Sequence, residues 1–374
     1  LRNLHGVNVK RVLIFTAGFG EGHNTAARNI RDALQEIASG ECEAEVVDLF
    51  AQCYPRMNAT LRRLYSTAIN RTPHLWHCFY WILDRLTAAQ DRLDGFHDVR
   101  GAMERMIRDR GADVLVTVYP VYNFAIAGLE PGVSAGVRTV TVITDSITIN
   151  SVWLRAECEH YIVPNDLTAT VLRNRGVPSG RIHALGFPVQ TVFARSEAFG
   201  PLPDPEAGPR LLYVVNTGAA RAHEVIRLLV GIPWLRLTVS VGRRPTLEAE
   251  IRRLAAVAAD RVEVMGWTDE MPRLLSTHHA VISKCGGATT QEAIAARCPM
   301  IVSRVVPGQE EGNWELLRLT GGGVLATRPK EIESAVREMF ADGAAKWRQM
   351  RQSLSAIARP DAALRIAGYL LGLS

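Results

Sequence analysis

Two α/β domains in succession are what this sequence predicts, and three observations predict them. Short β-rich runs alternate with helical stretches of about 10–15 residues, the pattern of a parallel sheet covered by helices on both faces. The alternation stops once, at a proline-rich stretch, and then restarts. The chain has 374 residues, more than one growing core usually serves, and about 150 residues per domain gives two domains or three.

In chain order, residues 9–16 are an apolar strand ending at Gly18, Gly20 and Gly22. Residues 24–38 then place Ala27, Ile30, Ala33, Leu34 and Ile37 at helical spacing. Further strands are expected at 45–50, 113–119, 139–144 and 160–163, with helices between them. Residues 56–110 break the rhythm as a long helical insertion. Pro201, Pro203, Pro205 and Pro209 crowd one short stretch. Each removes a backbone donor and blocks helical geometry, so neither a helix nor a central strand can run there. Residues 191–209 are therefore the linker between a first domain at 1–190 and a second at 210–358. The second domain repeats the pattern, with strands at 211–216, 236–241, 261–265, 280–283, 300–303 and 323–326. Its helices are expected at 224–229, 247–258, 289–296 and 332–340. Residues 359–374 carry a last helix, at 361–371 after Pro360.

Composition bounds the class. At 47% hydrophobic and 22% charged residues, the chain is not disordered, collagenous or held together chiefly by disulfides. A net charge of +5 permits an anionic ligand, an anionic membrane face or nucleic acid and selects none of them. The six cysteines show no C-x2–4-C spacing, which argues against a structural zinc and for a reducing cytoplasm. No amino-terminal signal pattern is present, and no apolar run approaches 18 residues, so a spanning helix is not expected.

Three strand ends carry candidate chemistry. Gly18-Phe-Gly-Glu-Gly-His23 lies between the first strand and first helix. Its glycines allow close approach to a ligand, and His23 is the one titratable imidazole there, although a capping or packed histidine fits the same spacing. The stretch lacks both G-x-G-x-x-G and G-K-[ST], which weakens nicotinamide-cofactor and P-loop readings. Thr144-Asp145 closes another strand of the same domain, and Asp145 can take a proton, orient an imidazole or merely cap a helix. Asn150 and Trp153 follow it. The fullest constellation is Ser283-Lys-Cys-Gly-Gly-Ala-Thr-Thr-Gln-Glu292 with Pro307-Gly-Gln-Glu-Glu-Gly-Asn313. Gly286, Gly287 and Ala288 make a tight turn, Thr289 or Thr290 starts a helix, and the converging amides and hydroxyls suit a diphosphate. Glu292 stands one turn further in, where it can accept two adjacent ribose hydroxyls, and Gln309 and Glu310 offer acceptors for a sugar.

Other features are weaker. Between Arg56 and Arg85 the insertion has five arginines against one acid, Asp84, interleaved with Tyr65, Trp76, Phe79, Tyr80 and Trp81. An anionic membrane patch and a helical subdomain with buried aromatics fit it equally, and a nucleic-acid groove fits less well because the basic stripe does not continue. Cys285 and Cys298 have no adjacent histidine, so Cys298 is expected to pack before its strand and Cys285 to lie near the phosphate turn without chemistry; His278-His279 has no metal-ligand spacing and is expected at an ordinary helix end.

With these residues in view, the chain resembles a GT-B glycosyltransferase of the group containing plant monogalactosyldiacylglycerol synthase, bacterial diacylglycerol glucosyltransferases and, more distantly, MurG. The resemblance rests on Gly20-Glu-Gly-His23 with Ala26-Ala27, Thr144-Asp145 followed by Trp153, Gly266-Trp-Thr-Asp-Glu-Met271, and above all Gly286-Gly-Ala-Thr-Thr-Gln-Glu292 with Pro307-Gly-Gln-Glu310 and Asn313. It implies two Rossmann-like domains with parallel sheets facing across a cleft, and inverting transfer from a UDP-sugar donor with no tightly bound cofactor and no metal. Gly286 to Thr290 would hold diphosphate, Glu292 ribose, and Gln309 with Glu310 the donor sugar. Gly266, Trp267 and Met271 would border uracil. Gly218, in the turn Thr217-Gly-Ala-Ala-Arg221, would approach the diphosphate through a loop less glycine-rich than usual in the group. His23 or Asp145 would take the acceptor proton, one orienting the other. The final helix would dock across the domains.

The group implies a lipid acceptor such as diacylglycerol, no nucleic acid, and a cytoplasmic enzyme, peripheral on the membrane where residues 56–85 meet anionic lipid. Many lipid-sugar relatives carry histidine where this chain has Asn150, and Cys285 replaces a frequent proline. A transferase with a soluble acceptor, a UDP-sugar 2-epimerase and a non-catalytic nucleotide-sugar sensor remain as alternatives.

Overall fold

A computed structural model describes residues 9–18, 21–56, 97–154, 156–308 and 310–373. Gly20, Gln309 and most of the aromatic and basic insertion, including Arg62, Arg63, Tyr65, Arg71, Trp76, Phe79, Tyr80, Trp81, Asp84 and Arg85, lie outside these residues. The chain divides into two compact units. One comprises residues 1–191, 307–312 and 361–374, the other 192–306 and 313–360. Each is built on a six-stranded, wholly parallel sheet, the architecture of two Rossmann-like domains in the GT-B fold.

In the first unit the strands are β1 (Lys10–Phe15), β2 (Cys42–Val47), β3 (Val114–Thr117), β4 (Arg138–Val142), β5 (His160–Ile162) and β6 (Ile182–His183). They lie in the order β2-β1-β3-β4-β5-β6. The helices are α1 (Glu21–Ile37), α2 (Leu49–Cys53), α3 (His97–Arg110), α4 (Tyr122–Ala127), α5 (Pro131–Ser134) and α6 (Asp166–Asn174). Val12, Leu13, Ile14 and Phe15 of β1 are all buried because helices cover both faces of the strand. In α1 the buried Ala26, Ala27, Ile30, Ala33 and Leu34 form one stripe at helical spacing, while Arg28 is exposed. Burying Ile30 alone is worth roughly 2 kcal/mol, and an aspartate there would leave a charge with no counter-ion.

Strand order reverses between β1 and β3, the place in an open parallel sheet where ligands collect beyond the carboxyl ends. The turn after β1 is held by Asp48, which accepts from the Gly18 amide at 2.9 Å and from the Ala51 amide at 2.9 Å. The second bond is an N-cap, and it explains why Phe50 lies in helix α2 rather than ending a strand over 45–50. Strand β6 has only two residues, too few for any periodicity to reveal.

The second unit contains β7 (Arg210–Val214), β8 (Arg236–Ser240), β9 (Val262–Met265), β10 (Ala280–Lys284), β11 (Met300–Arg304) and β12 (Gly323–Leu325). Their order is β12-β11-β10-β7-β8-β9, which reverses between β7 and β10. The helices there are α7 (Ala219–Val230), α8 (Pro245–Ala255), α9 (Met271–Thr277), α10 (Gly287–Ala295), most of α11 (Glu311–Thr320), and α12 (Pro329–Ile357). Backbone angles leave the helical region at Ala341–Ala344, so α12 is two helices joined across a kink, longer together than the helix expected at 332–340. Its Trp347 indole donates to the His279 carbonyl at 2.7 Å and packs edge-on against that imidazole.

The last helix, α13 (Ala362–Gly372), belongs to the first unit and packs on α1 through Ala362, Ala363, Ile366, Ala367 and Leu370. The Lys10 ammonium donates to the Leu371 carbonyl at 2.7 Å and to that of Leu373, satisfying acceptors that a helix end leaves open.

Candidate active site

His23 stands on the first turn of α1, half-buried beyond the end of β1. Its Nδ1 is 2.7 Å from the Val118 carbonyl oxygen, just past the end of β3. A carbonyl only accepts, so the neutral ring carries its proton on Nδ1 and keeps a lone pair on Nε2. The Thr144 hydroxyl lies 3.0 Å from the same Nδ1. The Tyr119 ring meets the imidazole edge-on with centroids 5.1 Å apart.

Asp145 follows β4, half-buried, and its Oδ2 accepts from the Trp153 indole at 2.7 Å. Trp153 is fully buried, and its carbonyl accepts from Asn123 at 3.2 Å, whose own Oδ1 accepts from Thr141 at 3.1 Å. A chain of buried polar groups therefore fixes the carboxylate from the sheet outward. The loop beyond it is strained: Ile147, a β-branched residue, has φ +53°.

Burial lowers the His23 pKa, and the Asp145 charge and the Val118 carbonyl oppose that shift. Burial raises the Asp145 pKa, and His23 and the Trp153 indole oppose it. The two feel each other's charge, but among the described residues no hydrogen bond joins them. The orienting partner of each is a different group, Val118 for the imidazole and Trp153 for the carboxylate. Asn150 uses its side chain locally, accepting from the Val152 amide at 2.8 Å.

In the second unit Gly286 precedes α10 in extended conformation, and no side chain caps the helix start. The first-turn amides at Gly287, Ala288 and Thr289 are therefore the orphan donors expected of a helix N-terminus, at the carboxyl end of β10. The Thr290 hydroxyl is buried and turned to the Met300 sulfur, so of the paired threonines Thr289 is the one with partial exposure.

Glu292, one turn along, is buried with a carboxyl pKa pushed up to about 7 by desolvation. Among the described residues no hydrogen bond or ion pair reaches its carboxylate. Gly218 caps α7 after β7. The Gly266 carbonyl accepts from the Ser240 hydroxyl at 3.2 Å, and a Cβ on Gly266 would stand 2.8 Å from a Glu248 oxygen. Trp267 is 59% exposed beneath the Arg243 guanidinium, 4.7 Å from its ring centroid. Met271 opens α9. Asn313 donates to the Cys285 carbonyl at 3.1 Å.

Glu310 is buried and groups with the first unit, within residues 307–312. Gly312, at the end of that segment, abuts the Ser146 carbonyl so closely that a Cβ has no room.

The side residues have packing roles. Cys285 and Cys298 are fully buried, and burial pushes the Cys298 thiol up to about 12, far from a nucleophile. His278 bonds the Leu274 carbonyl and the Thr238 hydroxyl, and burial lowers its pKa to about 4. His279 accepts from the Arg210 amide through Nδ1 and donates to the Pro203 carbonyl through Nε2. Among the described residues no group of three His, Cys, Asp or Glu is placed to hold a metal ion, and no helix is long and apolar enough to cross a membrane.

Two parallel sheets with polar groups at their switch points define the class as GT-B. Solved structures agree: Acinetobacter baumannii MurG superposes with a TM-score of 0.63 at 12% identity over 97% of this chain and all of that one. The Neisseria meningitidis UDP-GlcNAc 2-epimerase bound to UDP-GlcNAc gives 0.60 at 13% identity, over 97% of this chain and all of that one. Sequence narrows the class. The monogalactosyldiacylglycerol (MGDG) synthase family matches residues 23–189. The processive diacylglycerol beta-glucosyltransferase of Bacillus cytotoxicus is 24% identical over 371 residues, covering 96% of this chain and 93% of the relative. The chain is homologous to the MGDG synthase and diacylglycerol glucosyltransferase family.

Proposed function

We propose that the chain transfers a hexose from a UDP-sugar, with inversion, to a hydroxyl of a lipid such as diacylglycerol. One observation carries the donor half: Glu292 is a buried carboxylate with no partner among the described residues, one turn inside a helix whose starting amides no side chain caps. A lone buried carboxylate is costly unless something donates to it. A ribose diol supplies two donors, while the amides at Gly287 to Thr289 suit the diphosphate of the same molecule. Gly266, Trp267 and Met271 would then border the uracil, and Gln309 and Glu310 the sugar. The lipid acceptor is supported by the family match over residues 23–189 and by the length of the likeness to a diacylglycerol glucosyltransferase.

The acceptor oxygen attacks the anomeric carbon opposite UDP. Its proton passes to Nε2 of His23, the nitrogen that Val118 leaves unprotonated, and the Asp145 charge steadies the imidazolium that forms. The bond to UDP breaks with its electrons on the diphosphate, whose growing charge the amides of α10 stabilise. The enzyme would work in the cytoplasm, held peripherally on the membrane by residues 56–85.

Calorimetry with UDP tests the donor site. A mass-spectrometric screen of UDP-sugars against total lipid extract tests the reaction, with a new glycolipid as the expected product. Conversion of UDP-GlcNAc with no acceptor present would instead mark a 2-epimerase, and UDP binding without turnover a sensor.

A further inference from the structure

The carboxyl edge of the second sheet holds two arginines, Arg221 and Arg244, that no carboxylate pairs with among the described residues. Arg244 is spent on the backbone: its Nε donates to the Val241 carbonyl at 3.0 Å, one Nη to the Thr217 carbonyl at 2.9 Å, and the other to that of Val215. It braces the turn between β7 and α7 through those two carbonyls. Arg221, on the first turn of α7, reaches the end of β11, where an Nη donates to the Ser303 carbonyl at 3.2 Å. Its Nε is buried without a partner. Among the described residues no carboxylate pairs with either guanidinium.

Two neighbouring polar groups are also unmet. Asn216, two residues past β7, donates to the Ser283 hydroxyl at 3.0 Å, which leaves its Oδ1 buried without a partner, and the Ser303 hydroxyl is in the same state. Asn216, Ser283 and Ser303 sit at the ends of β7, β10 and β11, three adjacent strands. Buried charges in proteins are paired, and buried polar atoms are bonded. A half-buried guanidinium with spare donors, close to the unpartnered Ser303 hydroxyl and one strand from the uncapped start of α10, lacks an anion.

We propose that Arg221 binds the diphosphate of the donor nucleotide, with Arg244 as the positioning residue that holds the β7–α7 turn beneath it. This rests on the donor reading above and deepens it by assigning the fixed positive charge. A planar guanidinium can hold two phosphate oxygens at once, and its charge does not depend on pH in the working range. It would offset the charge that develops on the leaving group.

The test is calorimetry on the full chain with UDP, uridine and inorganic pyrophosphate, for wild type, Arg221→Gln and Arg221→Lys, alongside thermal melts. Expected are a loss of UDP affinity of about tenfold or more in Arg221→Gln, unchanged uridine affinity, partial recovery in Arg221→Lys, and a flatter salt dependence of UDP binding. Equal weakening of UDP and uridine, or unchanged UDP affinity, overturns the assignment. Wild type that binds pyrophosphate through Arg221 but neither UDP nor uridine keeps the anion site and discards the nucleotide reading.

Discussion

The Val118 carbonyl oxygen lies 2.7 Å from Nδ1 of His23, and that contact decides which nitrogen can act. Burial keeps the ring neutral, the carbonyl takes the one ring proton, and Nε2 is left as the lone basic site. In serine-hydrolase triads a carboxylate performs that orienting task. Here a main-chain atom does, and in the proposed reaction Asp145, held by the Trp153 indole, would act on the imidazole through its charge alone.

His23→Ala should lower turnover by at least roughly tenfold while UDP affinity is retained. The pH profile of kcat/KM follows from the direction of the His23 shift. Because burial lowers its pKa, the basic form persists below pH 6.5, so the acid limb should fall below that value. Asp145→Asn removes the charge that raises the imidazole pKa, so the limb should move further down as turnover drops at least tenfold. A limb that stays put in Asp145→Asn, with turnover unchanged, would refute the pairing.

Glu292 should set function against stability. Its carboxyl pKa is about 7 folded against an ordinary 4.5, so the folded chain binds the extra proton in that interval. The contribution of this one group to stability without ligand is therefore fully present below about pH 4.5 and is lost as pH rises towards 7, by a total of roughly 3 kcal/mol. Glu292→Gln should raise the melting temperature at pH 8 and change it little at pH 5. The same variant should bind UDP more weakly, because an amide offers one acceptor oxygen where the carboxylate offers two. Unchanged UDP affinity would remove the ribose role.

The membrane proposal rests on composition alone, since Arg62 and Arg63 lie outside the described residues. Each arginine near an anionic bilayer is worth roughly 1 kcal/mol. Changing both to glutamine should reduce sedimentation with phosphatidylglycerol vesicles by more than tenfold and leave binding to neutral vesicles as it was. Equal binding of both proteins to anionic vesicles would reject the patch.

Much of the fold was legible because its signal is local. Apolar runs ending in glycine or Thr-Asp placed β1, β4 and β10, and the proline cluster marked where the first alternation ends. Glu292 could be found by its distance from Gly286 and Gly287. Its lack of a partner could not, because that depends on every side chain around it. The Val118 carbonyl was beyond reach for another reason: a backbone atom has no letter in the sequence. The orientation of the Thr290 hydroxyl towards Met300 is likewise tertiary, and only packing distinguishes it from Thr289. The spacing of His23 and Asp145 suggests that one orients the other; their hydrogen bonds go to Val118 and Trp153, while each feels the charge of the other. That residues 307–312 group with the first unit is a matter of chain path, which no periodicity records.

The last helix should be held by an acid-sensitive contact. The Tyr369 hydroxyl lies 2.9 Å from Nδ1 of His160 and 2.7 Å from Nε2 of His183, on the adjacent strands β5 and β6, the second of them the sheet edge. One hydroxyl can donate to one ring and accept from the other only while at least one of the two nitrogens is unprotonated. Burial lowers both pKa values. Arg138 and Arg181 lower that of His160 further, against Glu159, and His160 lowers that of His183. For a base whose folded pKa is depressed, the unfolded chain binds more protons as pH falls below 6.5, so the contact stabilises above that pH and is lost beneath it. Hydrogen exchange over 362–373 should therefore quicken between pH 7 and pH 5, relative to the amides of β7 and β10. In Tyr369→Phe it should be faster at pH 7, and its ratio to those reference amides nearly the same at pH 7 and pH 5. Equal exchange in wild type and Tyr369→Phe at pH 7 would show that Lys10 and the apolar face on α1 hold the helix unaided.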